Sequence, residues 1–207
     1  MASDEMLTKG ERTRQAVVDA AYNLFLENGY SATSMRQIAE RAGLALGGIY
    51  NHFASKDEIF QALIIDKHPV IRIFPVLQTA PGNTTSEFVH NAARLLQAEM
   101  GNDPTFMKLM FIEIVEFNGR HLPKLINTIF PMAQPLFERF MSPNGGVRDN
   151  LPTLKVIRLL VGTILSYYLT EILLSDDSIP AGLREASLDD FLETFLHGIL
   201  ESQPVKS

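Results

Sequence analysis

The chain contains no cysteine. That excludes disulfides, zinc–thiolate sites and cysteine nucleophiles, and it suits a reducing compartment, expected to be the cytoplasm. Its N-terminal stretch, MASDEMLTKGERTR, lacks an apolar core region and a small-residue cleavage site, so no signal peptide is expected. A membrane span needs about 20 largely apolar residues. The most apolar stretch, 156–174, is interrupted by Arg158, Gly162, Thr163, Ser166, Thr170 and Glu171. A buried helix is therefore expected there, and no membrane partner. Histidines 52, 68, 90, 121 and 197 are scattered, with no metal-ligand spacing. A phosphate loop, a dinucleotide fingerprint and a nucleophile elbow are all missing. Gly145-Gly146 precedes no apolar helix start that would complete a phosphate cradle. No enzyme, metal site or cofactor is expected.

What is present is a chain of 207 residues, 46% hydrophobic and 20% charged, able to bury a core as one large domain or as a small one joined to a medium one. The net charge of −6 argues against nucleic acid, but its distribution does not. From Leu7 to Lys56 six basic residues face four acidic ones, a net of +2, which leaves −8 for the rest.

Period-two alternation is lacking and helix punctuation is frequent, so the fold class is all-α. Thr8-Lys9-Gly10-Glu11 reads as a capping box for a helix to Glu27, with Asn28-Gly29 as a left-handed stop. Val17, Ala20, Ala21, Leu24 and Phe25 form its apolar stripe. Ser34-Met35-Arg36-Gln37 caps a helix to Ala42, broken by Gly43, and a third short helix covers 45–52. Ser55-Lys56-Asp57-Glu58 caps a fourth, which should end or kink before Pro69. After a break at 79–85, helices are expected at 86–101, 104–118 and 122–141. A loop over 142–152 and two last helices, 153–174 and 187–202, follow.

Residues 34 to 52 make two short helices joined by a tight glycine turn, a helix-turn-helix candidate locked by Ile38, Ala39, Leu44, Ile49 and Phe53. Any corner between two helices shares that pattern. The outer residues separate the two readings: Thr33, Tyr50, His52 and Lys56 are all donors, clustered at helix ends, a set suited to phosphate oxygens. Gly47-Gly48 weaken the third helix by roughly 1 kcal/mol each relative to alanine.

Residues from about Thr8 to Ile64 resemble the DNA-binding domain of TetR-type transcriptional regulators. The resemblance rests on Gly29-Tyr30, Thr33-Ser34, Ile38-Ala39, Ala42-Gly43-Leu44, Gly47, Tyr50, His52-Phe53, Lys56 and Ile59. It implies a homodimer with two helix-turn-helix heads on a palindromic operator: a DNA-binding domain at 1–54 and a helical effector-binding and dimerisation domain at 55–207. It also assigns phosphate contacts to Thr33, Tyr50, His52 and Lys56, and places Gly47 where the third helix comes nearest the bases. Ala45 stands where the family commonly has serine, removing a cap worth on the order of 1 kcal/mol. With Leu46 and Gly48 beside it, few side chains are left to read bases. Leu46 suits a thymine methyl and Asn51 a polar base contact, so phosphate anchoring and DNA shape should outweigh direct readout.

The last two helices occupy the family's dimerisation position, which makes Leu188, Phe191, Phe195 and Ile199 interface candidates; an intramolecular core is the alternative. In 104–118, Phe106, Leu109, Met110, Ile114 and Phe117 are read as one face around Glu113. Phe106, Met110, Glu113, Phe117 and Tyr167 are the candidate pocket for a lipophilic or amphipathic effector. Glu113 is either a ligand contact or the partner of an arginine such as Arg120 or Arg158. Of Tyr167 and Tyr168, one is expected to meet ligand and the other to pack. The implied function is a ligand-responsive repressor. The rival is a helical carrier without DNA binding, which leaves the donor cluster unexplained.

Overall fold

The computed structural model describes residues 8–101, 105–142, 146–148 and 150–199. Among them are eleven helices and no strand. Helix α1 (Lys9–Asn28) opens with the expected box: Thr8 accepts from the Glu11 N–H, and the Glu11 carboxylate accepts from the Thr8 N–H. Its stripe is buried, together with Val18. Gly29 ends it with φ 82° and ψ 163°, a positive φ but not the left-handed helical conformation expected. Helix α2 (Met35–Arg41) carries the Ser34/Gln37 box. Helix α3 (Leu46–Ile49) is one turn, shorter than the expected 45–52, and Ala45 gives it no side-chain cap. Helix α4 (Lys56–Asp66) starts at Ser55 and stops before Pro69.

Helix α5 (Val70–Leu77), with Pro75 inside it, was not anticipated from the sequence, where Pro69 read as a stop. Proline is well suited to a helix entry, where its missing N–H has no partner to lose. Here the His68 Nδ1 accepts from the Val70 N–H just past Pro69. Next come α6 (Thr85–Met100), α7 (Thr105–Phe117) and α8 (Leu122–Phe140). The set closes with α9 (Thr153–Leu173), the unanticipated single turn α10 (Ala181–Arg184) and α11 (Leu188–Ile199). The expected helix ends at 104 and 200–202, and loop positions 143–145 and 149, lie outside the described residues.

The chain divides into two compact units. The first joins residues up to Ile71 with Lys108–Thr128; the second joins Arg72–Met107 with the residues from Ile129 on. The expected boundary at 54/55 isolates the head in chain order. The compact unit holding that head also includes α4, which packs on α1, and most of α7. Rings of Phe25, Tyr30, Phe60, Phe117 and His121 pack in a continuous cluster there, with centroids 4.6–5.8 Å apart. In the second unit α11 packs on α9 and α6 around Phe88, Leu96, Leu192 and Leu196.

Helix α9 departs from expectation. Only Val156, Tyr167 and Tyr168 are buried, while Leu154, Leu159, Val161 and Leu173 are exposed. It is long and apolar enough to cross a membrane by length and composition. Apolar residues run nearly all round it, and one chain covers one side only.

Candidate nucleic-acid interface

The turn between α2 and α3 is built on Gly43, whose φ of 70° only glycine adopts without strain. It lets the Leu44 N–H reach the Ala39 carbonyl at 2.8 Å and brings Ile38, Ala39, Ile49 and Phe53 into the core. Gly47 and Gly48 differ from Gly43, since neither has a positive φ. A Cβ added at Gly47 meets nothing within 4 Å, and one at Gly48 touches only Leu44 Cβ at 4.0 Å. The fold therefore has no steric or backbone need for either glycine, although both weaken the helix. Leu46, Gly47, Tyr50 and Asn51 face outward, with Gly48 and His52 half-buried beside them and Ile49 turned into the core. The small centre of this stretch admits close approach by another surface.

Thr33 and Lys56, both expected at phosphates, are turned inward. Thr33 is 2% exposed, and its hydroxyl donates to the carbonyls of Gly29 (2.9 Å) and Leu24 (3.3 Å). The Lys56 ammonium donates to the Tyr30 and Thr33 carbonyls, 2.6 Å each, and lies 4.1 Å from the Tyr30 ring centroid. Burial holds that ammonium below the usual lysine range. It is a clamp on the turn between α1 and α2. The presence of hydrogen-bond donors in a motif does not fix which way they point.

The remaining positive charge sorts in the same way. Arg41 pairs with Glu27 at 2.9 Å, Arg14 with Asp66 at 3.5 Å, and Lys67 with Asp19. Lys9, Arg12 and Arg36 are exposed and form no ion pair among the described residues. Two stand in the first turn of α1 and one in that of α2. They were legible in the sequence as charge but not as free charge.

Glu113 is fully buried and pairs with a histidine instead of an arginine. Its Oε2 lies 2.8 Å from His121 Nδ1, and its Oε1 accepts from the His121 N–H at 2.8 Å. His121 Nε2 in turn faces Asp57 Oδ1 at 3.4 Å, and Asp57 pairs with Arg120. The carboxylate is thus committed to the protein, which withdraws Glu113 as a ligand contact. The stop at Asn118 and Gly119, φ 53° and 77°, turns the chain back to bring His121 there.

The five pocket candidates are shared between the two units. Glu113 and Phe117 lie buried in the first unit, where Met110 is half-buried and Ile114 is 55% exposed. Phe106 and Tyr167 belong to the second. Tyr167 packs edge-on against Tyr168 (5.2 Å) and Phe191 (5.7 Å). Of the interface candidates, Leu188 is wholly inside its own chain, and Phe195 and Ile199 are 9% and 3% exposed. The half-buried Phe191, with Phe195 and Ile199, lines an open groove beside Leu159, Gly162, Thr163 and Ser166 of α9. The broad stripe of α11 is spent mainly on its own core, so the uncovered apolar surface is that of α9.

A short helix with two glycines in its exposed turn, joined through the Gly43 corner to α2, which packs on α1, makes this an all-α protein with a helix-turn-helix head. Residues 17–63 match the profile described as "Bacterial regulatory proteins, tetR family". The regulator UidR of Escherichia coli (strain K12) is 37% identical over 62 residues, 30% of this chain and 32% of that protein. The match thus spans about a third of the length of the first curated relatives. The repressor KstR of Rhodococcus jostii is 24% identical over 158 residues, 76% of this chain and 73% of that one. The transcriptional regulator FadR of Bacillus subtilis, solved with stearoyl-CoA, shares the fold with a TM-score of 0.66 at 21% identity, covering 89% of this chain and 98% of that one. Residues 17–63 are thus similar to the DNA-binding region of the tetR family of bacterial regulatory proteins, and the chain shares its fold with solved members of that family. Its relatives are transcriptional regulators, not enzymes.

Proposed function

We propose that this chain is a ligand-responsive transcriptional regulator acting in the cytoplasm as a repressor, binding palindromic operator DNA as a homodimer and released by a small lipophilic effector. The observation that carries the reading is the Gly47-Gly48 surface, which costs the fold stability and answers no need inside it. Backbone placed there can meet the floor of the major groove, with Leu46 and Asn51 at base edges and Tyr50 and His52 at phosphates. Lys9, Arg12 and Arg36 add the charge that Lys56 does not supply. Pairing uses the exposed side of α9 and the groove it shares with α11, where Leu159 and Gly162 meet their copies. Effector binding shifts the population toward a state in which the two heads, moved through α4, no longer match successive major grooves. The repressing mode and small-molecule response draw on the printed names of KstR and of the FadR–stearoyl-CoA complex.

The test is selection of genomic fragments by the purified protein, followed by anisotropy titration of the enriched sequence. Two heads that each present Lys9, Arg12 and Arg36 should lose about a thousandfold in affinity between 50 and 200 mM salt. Recovery of no enriched DNA refutes the reading.

A further inference from the structure

Building on the effector reading above, we propose that the effector is a neutral, largely apolar molecule offering a hydrogen-bond acceptor, and that the Tyr168 hydroxyl of α9 is the donor that recognises it. Tyr168 is 9% exposed, and its hydroxyl has no hydrogen-bond partner. Buried hydroxyls are normally paired, and one that is not destabilises the fold unless something else meets it. Other polar groups of this core have found partners: the Thr85 hydroxyl donates to the Phe140 carbonyl at 2.8 Å, and Tyr167 hydrogen-bonds Gln97. Burial, and then the neighbouring Tyr167, pushes Tyr168 up to about 12. Its hydroxyl therefore keeps its proton and donates.

The surroundings set the charge of the guest. Tyr168 sits in a core with Phe88, Leu96, Leu192 and Leu196. Among the described residues of this unit no acidic or basic side chain is buried, and Thr85 is the one buried polar residue besides the two tyrosines. A carboxylate taken into such a core gives up its hydration, and the basic side chains at the core's edge are already engaged, Arg139 with the Gly82 carbonyl and His90 with Asp189 and Glu193. A ketone, ether or hydroxyl oxygen gives up little and gains the Tyr168 hydrogen bond.

The experiment uses two matched pairs of probes on the full chain, 2-decanone against decanoate and 2-acetylnaphthalene against 2-naphthoate. Binding is measured by calorimetry to wild type and to Tyr168→Phe. Wild type should bind each ketone at least tenfold more tightly than its carboxylate, and Tyr168→Phe should weaken the ketones about fivefold while leaving the carboxylates unchanged. Since the variant removes an unpaired hydroxyl, its Tm should equal or exceed that of wild type. Tighter carboxylate binding overturns the proposal, as does a variant that binds ketones like wild type, which would mean that water alone meets the hydroxyl. A wild type that binds none of the four and releases no small molecule on denaturation overturns the effector reading itself.

Discussion

Gly47→Ala should make the protein more stable and worse at its task. The backbone at Gly47 is right-handed helical and an added Cβ meets no atom within 4 Å, so the change introduces no strain and no clash. Alanine is favoured over glycine in a helix by up to about 1 kcal/mol, less near the end of a single turn, so a gain of roughly 0.5–1 kcal/mol is expected. For a chain of this size that is a rise of about 2 °C in Tm. On DNA the same methyl stands between the α3 backbone and the bases and should cost at least about 1.4 kcal/mol, tenfold in affinity. Gly43→Ala is the internal control. There φ is 70°, and the same methyl should destabilise by about 1–2 kcal/mol. Chemical denaturation and anisotropy on one selected operator fragment measure both quantities. A Gly47→Ala protein that gains stability and binds DNA as wild type does would refute the close-approach argument. A loss of stability would refute the claim that the fold has no use for the glycine.

Lys56→Ala should cost about 2 kcal/mol of stability, because two carbonyls lose a charged donor, whereas His52→Ala should leave stability unchanged and weaken DNA binding. Glu113→Ala strands His121 in the aromatic cluster, and a loss of about 3–5 kcal/mol is expected in urea titration. Burial holds His68 down to about 4, against an unfolded value near 6.5. The unfolded chain therefore binds the extra proton first, and stability falls as pH drops from about 6.5 to 4, by about 3 kcal/mol. His68→Asn, which can still accept from the Val70 N–H but does not titrate, should flatten that part of the profile. Leu159→Glu places a charge on the uncovered side of α9 and should yield a monomer by sedimentation that no longer binds DNA.

Helices α1, α2 and α4 were legible because their starts are written locally: a threonine or serine closes on a backbone N–H three residues later. The stripe of α1 was legible for the same reason, since period and burial coincide there. Pro69 hid α5, because a proline that opens a helix and one that ends it are the same letter. Orientation was the larger loss. Thr33 and Lys56 are suitable phosphate donors by chemistry, and only the position of the Gly29, Tyr30 and Thr33 carbonyls reveals that their hydrogens are already committed. Glu113 and His121 meet across the reversal at Asn118-Gly119, which no helical spacing relates. For α9, apolarity was read both as burial and, with the last helix, as surplus surface for pairing, and the residues alone do not say which side is which. Sequence records that a surface avoids water, not whether its own chain or another one covers it.

With the proposed pairing, that last feature would make the protein's survival a matter of its own abundance. On the pairing proposed above, a chain that leaves Leu154, Leu159, Val161 and Leu173 bare until it meets its copy has a folding equilibrium tied to protomer concentration. Diluted, or just released from the ribosome, it presents a membrane-like helix to whatever chaperone or protease arrives first. The pool of paired molecules would then be set by how often two protomers meet as well as by how fast they are made.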